Sequence, residues 1–216
     1  MIFVMGHMQL RAGDAAYLRP IITDQTHSTR AQDGCDHYSI SSDILDTDLL
    51  WINERWRDTA CQADHMVSDH MVRFNIGMHR AKILNANVVI FGEENRVSKL
   101  INIGNNVPPK GSKDMIIVMG SIRMGDGEID RLQNEMVTQM ATTQAEDGCE
   151  LYIFSRDVTD PNLLLISERW RDGDALAAHG KAPHMALFNK AIGGAKIEHI
   201  SVKSYEAGTV RTLIGE

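Results

Sequence analysis

Cysteine is scarce in this chain of 216 residues, which contains only Cys35, Cys61 and Cys149. Thiols so few and so widely spaced exclude a disulfide framework and a zinc site built from cysteine pairs. No stretch approaches the roughly 20 consecutive apolar residues that a membrane span requires. The N-terminal residues MIFVMGHMQLRAGD have no basic segment before their apolar run, so they do not resemble a signal peptide. These features predict a reduced, soluble, cytoplasmic protein.

Basic residues are also in deficit, with 22 Lys and Arg against 29 Asp and Glu and a net charge of −7. Nucleic-acid binding requires a basic face, so we expect no nucleic-acid partner. The absence of a long apolar run likewise predicts no membrane partner. The apolar fraction of 43% is ordinary for a globular protein.

The pentapeptide Glu-Arg-Trp-Arg-Asp occurs twice, at 54–58 and at 168–172. Residue n of the first half aligns with residue n + 114 of the second, and 35 of the first 91 aligned pairs are identical without a gap. The chain is therefore a tandem duplication. The polar stretch NNVPPKGSKD at 105–114, with two prolines and a glycine, is typical of a linker. We predict a first domain at 1–104 and a second at 115–216.

Each copy has the pattern strand, helix, strand, strand, helix, strand. In the first helix of copy two, Ile129, Leu132, Met136 and Met140 share one face. Pro20 falls inside the corresponding helix of copy one, which predicts a kink or a late start there. The order βαββαβ is that of the ferredoxin-like fold, an α+β arrangement whose antiparallel sheet is covered by helices on one face. The other face must be buried as well, and the second copy is the obvious partner.

The third strand of each copy carries a glutamate among apolar neighbours. Strand alternation places Glu54 and Trp56 on one face, and Glu168 and Trp170 on the equivalent face. Burial raises the pKa of a carboxyl group, so each glutamate is a candidate acid or base near neutrality. Alternatively, a helix backbone N–H or an arginine satisfies it structurally. Each tryptophan is either core or part of a cleft.

Two histidines follow each tryptophan, His65 and His70 in copy one and His179 and His184 in copy two. They serve either as hydrogen-bonded packing residues or in proton transfer within a pocket. We expect no metal site. Their spacing of five residues differs from the i,i+4 spacing of a helical metal pair, and no carboxylate or cysteine joins them at a matching offset.

Each βαββαβ unit contains the motif E-x-W, then W-x8-H, and a second histidine five residues later in the context (P/D)-H-M-x-x-F. This combination resembles the antibiotic biosynthesis monooxygenase domain of the dimeric α+β barrel superfamily. The resemblance covers nearly the whole chain. It implies that the antiparallel sheets of the two copies pack into an intramolecular dimeric α+β barrel, a pseudo-dimer whose further self-association is open. The matching residues are Glu54, Trp56, His65, His70, Met71 and Phe74 in copy one, and Glu168, Trp170, His179, His184, Met185 and Phe188 in copy two.

The resemblance also implies a reaction and its partners. It implies a monooxygenase without metal, flavin or other cofactor, acting on a quinol- or anthrone-like aromatic molecule and O₂. A proton leaves the substrate, whose anion then passes electrons directly to O₂. The expected cleft lies between the sheet and the helices of each copy. Catalytic roles fall to His65, His179, Glu54 and Glu168, and substrate-binding roles to Trp56, Trp170, His70, His184, Asn53, Phe74 and Phe188.

Other functions remain open on the same fold. One alternative is a small-molecule isomerase or lactonase. Another is a non-catalytic module, which either binds an aromatic ligand without turnover or mediates assembly with both tryptophans fully packed and no usable cleft. Asn53 corresponds to Ser167, so the two clefts are expected to differ.

Overall fold

A computed structural model describes residues 1–92, 100–102, 114–207 and 210–214. The chain forms two compact units. Unit 1 contains β1 (Ile2–Leu10), α1 (Asp14–Arg30), β2 (Cys35–Asp43), β3 (Leu49–Trp56), α2 (Thr59–Met66), α3 (Asp69–Met78), β4 (Ile83–Phe91) and β10 (Val210–Ile214). Unit 2 contains β5 (Leu100–Asn102), β6 (Met115–Met124), α4 (Glu128–Arg131), α5 (Gln133–Gln144), β7 (Cys149–Asp157), β8 (Leu163–Trp170), α6 (Gly173–His179), α7 (Pro183–Ile192) and β9 (Ile197–Ala207).

Each unit has an antiparallel sheet with its first strand near the centre. The strand order is β10-β4-β1-β3-β2 in unit 1 and β7-β8-β6-β9-β5 in unit 2. The register of β1 against β3 pairs Val4 with Glu54, and that of β6 against β8 pairs Val118 with Glu168. The predicted α+β class and the two βαββαβ units are therefore confirmed. The packing of the two sheets into a barrel stays a prediction.

The last strand of each unit comes from a distant part of the chain. Val210 of β10 pairs with Phe91 of β4, and Leu100 of β5 pairs with Tyr205 of β9. The predicted boundaries at 104 and 115 do not anticipate this exchange, because local patterns do not specify the sheet edge on which a strand pairs. The predicted linker, apart from Asp114, lies outside the described residues.

The core of each unit lies between the sheet and its helices. In unit 2 the predicted helical face is confirmed, since Ile129, Leu132, Met136 and Met140 are all buried. Of the kink or late start predicted at Pro20, the late start is wrong, because α1 begins at Asp14 and contains the proline. The kink stays a prediction. No helix in the described part of the chain is long and apolar enough to cross a membrane.

Candidate functional site

The glutamate and tryptophan of the repeated strand bind each other. The indole Nε1 of Trp56 donates to Oε2 of Glu54 at 2.7 Å, and that of Trp170 donates to Oε2 of Glu168 at 2.8 Å. Both pairs face the helices, where each tryptophan is fully buried and each glutamate nearly so. The structural partner of each carboxyl is therefore the indole N–H two residues later, which sequence reasoning did not identify.

Burial governs the titration of these two carboxyl groups. It raises the pKa of Glu54 to about 7, and the hydrogen bond from Trp56 opposes that rise. The pKa of Glu168 is raised to about 7 by the same desolvation, opposed by Trp170. Both carboxyls thus exchange protons near neutrality, as a group that acts as an acid or base must.

Short helices bring the first histidine of each pair onto the tryptophan. Asp58 caps the start of α2 by accepting a hydrogen bond from the backbone N–H of Cys61 at 2.9 Å. Two turns later the ring of His65 packs on Trp56, with centroids 4.8 Å apart. In unit 2 His179 packs in the same way, at 4.7 Å from Trp170. Both first histidines are buried, as their helical position predicts.

The second histidine of each pair lies beside the first. His70, in the first turn of α3, has its ring centroid 5.4 Å from that of His65. The separation between His184 and His179 is 5.7 Å. The predicted glutamate, tryptophan and two histidines of each copy therefore gather into one cluster within their own unit.

The remaining predicted site residues occupy different positions. Phe74 is buried in the core of unit 1, and Phe188 packs against Phe154 with centroids 5.3 Å apart. Asn53 does not join the histidine cluster, because strand alternation directs it to the sheet face opposite Glu54. It is buried there, and its Nδ2 has no hydrogen-bond partner among the described residues. Any substrate that Asn53 binds would therefore lie on the other face of the sheet, away from the histidine cluster.

A residue that sequence reasoning missed distinguishes the two clusters. In unit 2 the carboxylate of Glu146 lies 3.1 Å from Nδ1 of His179 and 2.9 Å from Nε2 of His184. The expectation that no carboxylate joins the histidines is therefore wrong for unit 2. Glu146 comes from the turn after α5, 33 residues before His179, and the spacing around the histidines gives no sign of it.

The equivalent of Glu146 in unit 1 is an amide. Oε1 of Gln32 lies 2.7 Å from Nδ1 of His65, and the second histidine, His70, has its Nε2 3.1 Å from Oγ of Ser68. Ser68 corresponds to Ala182, which has no hydroxyl. The two imidazoles therefore share one carboxylate in unit 2, whereas in unit 1 they have separate neutral partners. The signal available in the sequence was the alignment of AQDGC with AEDGC.

The proton positions in unit 2 follow from the acceptor character of an ionised carboxylate. If Glu146 accepts from both rings, His179 carries its proton on Nδ1 and His184 on Nε2. Nε2 of His179 and Nδ1 of His184 are then free to accept protons. Burial lowers the pKa of His179, and the neighbouring Glu146 opposes that change. In unit 1, burial and the neighbouring His70 lower the pKa of His65 to about 4.

Two cavities in unit 2 meet at His184. One, of about 250 Å³, lies against α5 and α7, and its wall includes Thr138, Gln139, Leu187 and Phe188. The other, of about 510 Å³, is lined by Glu146, Asp147, Arg171, Asp174 and neighbours. His184 lines both. Neither cavity is lined by Trp170, so the tryptophan supports the histidines from within the core.

Two wall positions of the first cavity are occupied by charged residues in the corresponding places of unit 1. Thr138 and Leu187 correspond to Asp24 and Arg73. In unit 1 this acid and base form an ion pair, with Nη2 of Arg73 3.5 Å from Oδ2 of Asp24. An apolar wall position of unit 2 is therefore a charged, paired position of unit 1. The predicted difference between the clefts rests instead on Asn53 and Ser167, and it stays a prediction.

The family model for antibiotic biosynthesis monooxygenases matches residues 1–75 and 115–191, one segment in each copy. The chain belongs to this family. Among its relatives, the uncharacterised protein sll1783 of Synechocystis is 28% identical over 104 residues, which are 48% of this chain and 71% of the relative.

Solved structures of similar proteins include candidate monooxygenases. One from Deinococcus radiodurans, a candidate antibiotic biosynthesis monooxygenase, is 27% identical with a TM-score of 0.44, over 46% of this chain and 99% of its own. Another, from Lactobacillus acidophilus, is 16% identical with a TM-score of 0.44, over 98% of this chain and 95% of its own.

Within this antibiotic biosynthesis monooxygenase fold, the unit 2 cluster can act in two ways. A carboxylate that orients two imidazoles is suited to accept a proton from a molecule in the adjoining cavity. The carboxylate and the two imidazole nitrogens also lie within 4.8 Å of one another, a set of donors that can bind a metal ion. Proton acceptance is a step that a catalysed reaction can use, whereas metal binding can be measured without any reaction.

Proposed function

We propose that this protein is a cofactor-independent monooxygenase that oxidises a quinol- or anthrone-like aromatic molecule in unit 2. The single observation that supports this most is the position of His184, which lines both cavities and binds the carboxylate of Glu146 at 2.9 Å. Membership of the antibiotic biosynthesis monooxygenase family supports the general reaction. The substrate class is the proposal's own.

The first step is removal of a proton from the substrate. His184 accepts it on Nδ1, while Nε2 donates to Glu146, which stabilises the imidazolium that forms. The aromatic ring lies in the cavity of about 250 Å³, against Leu187 and Phe188. Gln139 on the same wall is buried, and its Nε2 donates to Oγ1 of Thr143 and to Sδ of Met185, so this amide holds the wall in place.

The second step transfers electrons from the substrate anion to O₂. For an anthrone, the ring CH₂ becomes C=O, one oxygen atom enters the product, and the other leaves as water with the two hydrogens. The substrate supplies every electron, so the balance requires no external reductant. The role of the protein is to hold the anion against the apolar side chains of Leu187 and Phe188, beside the imidazole that accepted the proton.

Unit 1 is proposed as a structural counterpart. Its imidazoles bind the neutral groups Gln32 and Ser68, which do not stabilise an imidazolium as a carboxylate does. The ion pair of Asp24 with Arg73 also places charge where the unit 2 cavity has Thr138 and Leu187. Duplication thus leaves one copy free to carry the reaction.

Oxygen uptake by metal-stripped protein, offered a panel of hydroquinones and anthrones, tests the proposal. We expect uptake above autoxidation, one atom of ¹⁸O in the product from ¹⁸O₂, and at least a hundredfold loss in His184→Ala. Tight binding of these aromatics without uptake would instead identify a binding module. If the panel shows no uptake and no binding, the isomerase, lactonase and assembly alternatives are favoured and the proposal is overturned.

A further inference from the structure

The cluster of Glu146, His179 and His184 has the composition of a metal site. It offers two imidazole nitrogens and one carboxylate from three separate elements: the turn after α5, the end of α6 and the start of α7. Two histidines and a carboxylate, with further positions open to water, form a recurrent catalytic zinc and non-haem iron set. Every donor therefore suits a divalent transition metal.

The two distances from Glu146 to the histidines match those of ligands that share one ion. Ligands about 2.1 Å from a common metal lie about 3.0 Å apart at a right angle and about 3.4 Å apart in a tetrahedron. The carboxylate oxygens of Glu146 lie 3.1 Å from Nδ1 of His179 and 2.9 Å from Nε2 of His184. All three ligand atoms lie within 4.8 Å of one another. An ion therefore requires only a small displacement of these side chains.

The surroundings favour a cation and give it access. The side chain of His179 is 4% exposed, and those of Glu146 and His184 are 19% and 18% exposed. The cavity of about 510 Å³ that reaches Glu146 is also lined by the acidic Asp147 and Asp174. Its Arg171 is held by Asp147 and Asp172, at 2.9 Å and 3.1 Å. The remaining coordination positions would open toward this cavity.

We propose that Glu146, His179 and His184 form a binding site for one divalent transition-metal ion, with Zn²⁺ and Co²⁺ as its probes. The ligands are the Glu146 carboxylate, Nδ1 of His179 and Nε2 of His184. Trp170 packs on His179 and holds that ring in place. Thr143, whose Oγ1 lies 3.3 Å from Nε2 of His184, would give up that contact to the ion.

Unit 1 supplies a control for this site within the same chain. The amide of Gln32 is a weaker ligand than a carboxylate and brings no negative charge. His70 has a separate partner in Ser68. The proposal therefore predicts one ion per chain, bound in unit 2.

The inference does not depend on the proposed reaction. A bound ion takes the place of the protons on Nδ1 of His179 and Nε2 of His184, and each neutral ring then carries its proton on its other nitrogen, so Nδ1 of His184 no longer accepts a proton. The metal-free cluster is the form to which the proton-transfer role above is assigned. The metal-bound and metal-free forms of unit 2 are therefore alternatives, and ion binding is measurable without any turnover.

Titration of the metal-stripped full chain with Co²⁺ and Zn²⁺ tests the site. Visible absorption follows Co²⁺ coordination, and calorimetry gives the Zn²⁺ stoichiometry and affinity. We expect one ion per chain, at least tenfold weaker binding in Glu146→Gln, and no change in His199→Ala, which removes an exposed imidazole on β9. The double variant Gln32→Glu/Ser68→Ala should bind a second ion.

Three outcomes of these titrations would count against the site. No Co²⁺ absorption in the wild type, or unchanged affinity in Glu146→Gln with the variant folded by circular dichroism, overturns the proposal. Failure of Gln32→Glu/Ser68→Ala to gain a second ion would contradict the assigned ligand set if that variant also folds. Oxygen uptake plays no part in these measurements, so they fail or succeed separately from the proposed function.

Discussion

The indole N–H of Trp56 donates a 2.7 Å hydrogen bond to the carboxyl group of Glu54, two residues earlier on the same face of β3. The pair is buried beneath α2, where the ring of His65 packs on the indole. Trp170, Glu168 and His179 repeat the arrangement in unit 2. The tryptophan of the repeated motif therefore satisfies a buried carboxyl and supports a histidine at the same time.

Replacing Trp56 by Phe should destabilise unit 1 more than the lost ring volume alone explains. The variant leaves the Glu54 carboxyl without its donor, which costs about 1–3 kcal/mol for a buried polar group. The double variant Trp56→Phe/Glu54→Met should recover part of that loss, because both polar partners are then removed. Urea unfolding measures each free energy, and a double variant less stable than Trp56→Phe would contradict the account.

The pH dependence of stability in unit 1 should change when Glu54 is replaced by Gln. The raised pKa of Glu54, about 7, means that the folded state holds this proton between pH 4.5 and 7 while the unfolded state releases it. This carboxyl therefore lowers stability as pH rises through that window. His65 has the opposite effect on stability. Its pKa is lowered to about 4 in the folded state, so the unfolded state binds a proton more readily as pH falls below 6.5, and the folded state loses stability.

The two contributions oppose each other in the wild type, and Glu54→Gln removes only one of them. Relative to the wild type, the variant should therefore gain stability as pH rises from 4.5 to 7, by up to about 1.4 kcal/mol per pH unit. Chemical denaturation at several pH values gives the comparison. A stability difference that does not change with pH would show that Glu54 is ionised throughout.

The turn that carries Glu146 should be sensitive to substitution at Gly148. Its φ is 81°, in the left-handed region, and a Cβ there would lie 2.6 Å from Cβ of Ala175. Gly127 has a similar φ of 76° but nothing within 4 Å of an added Cβ. Gly148→Ala should therefore lower the free energy of unfolding by about 1–3 kcal/mol, and by more than Gly127→Ala. Equal losses of unfolding free energy in both variants would show that the close approach to Ala175 adds no destabilisation.

Charges placed in the unit 2 cavity should block substrate. The double variant Thr138→Asp/Leu187→Arg copies the ion pair of Asp24 with Arg73 into the wall of the 250 Å³ cavity. Because it fills apolar space and leaves Glu146 in place, we expect at least tenfold weaker aromatic binding with normal metal binding. Fluorescence or calorimetric titration measures both. Undiminished aromatic affinity would place the substrate elsewhere.

Sequence reasoning predicted the parts of the structure that depend on local periodicity. Strand alternation placed Glu54 with Trp56, and helical spacing directed His65 back to the sheet. The partner of the histidines was not predictable in this way. Glu146 reaches His179 from 33 residues away, through the end of another helix, so only the tertiary fold brings them together.

Two features of the fold also escaped prediction. The helix with Pro20 is continuous, whereas its proline-free counterpart is divided into α4 and α5 at Leu132. The exchange of β5 and β10 between the units depends on which sheet edge each strand pairs with, a choice that strand patterns leave open.

The most direct test of the central claim compares Glu146→Ala with its matched variant Gln32→Ala. Both truncate the same position of the repeat, and both remove a hydrogen bond to a buried histidine. With folding verified, oxygen uptake on the best aromatic substrate should fall at least a hundredfold in Glu146→Ala and stay within a few-fold of wild type in Gln32→Ala. Equal losses in both variants, or full uptake in Glu146→Ala, would contradict a reaction carried by unit 2.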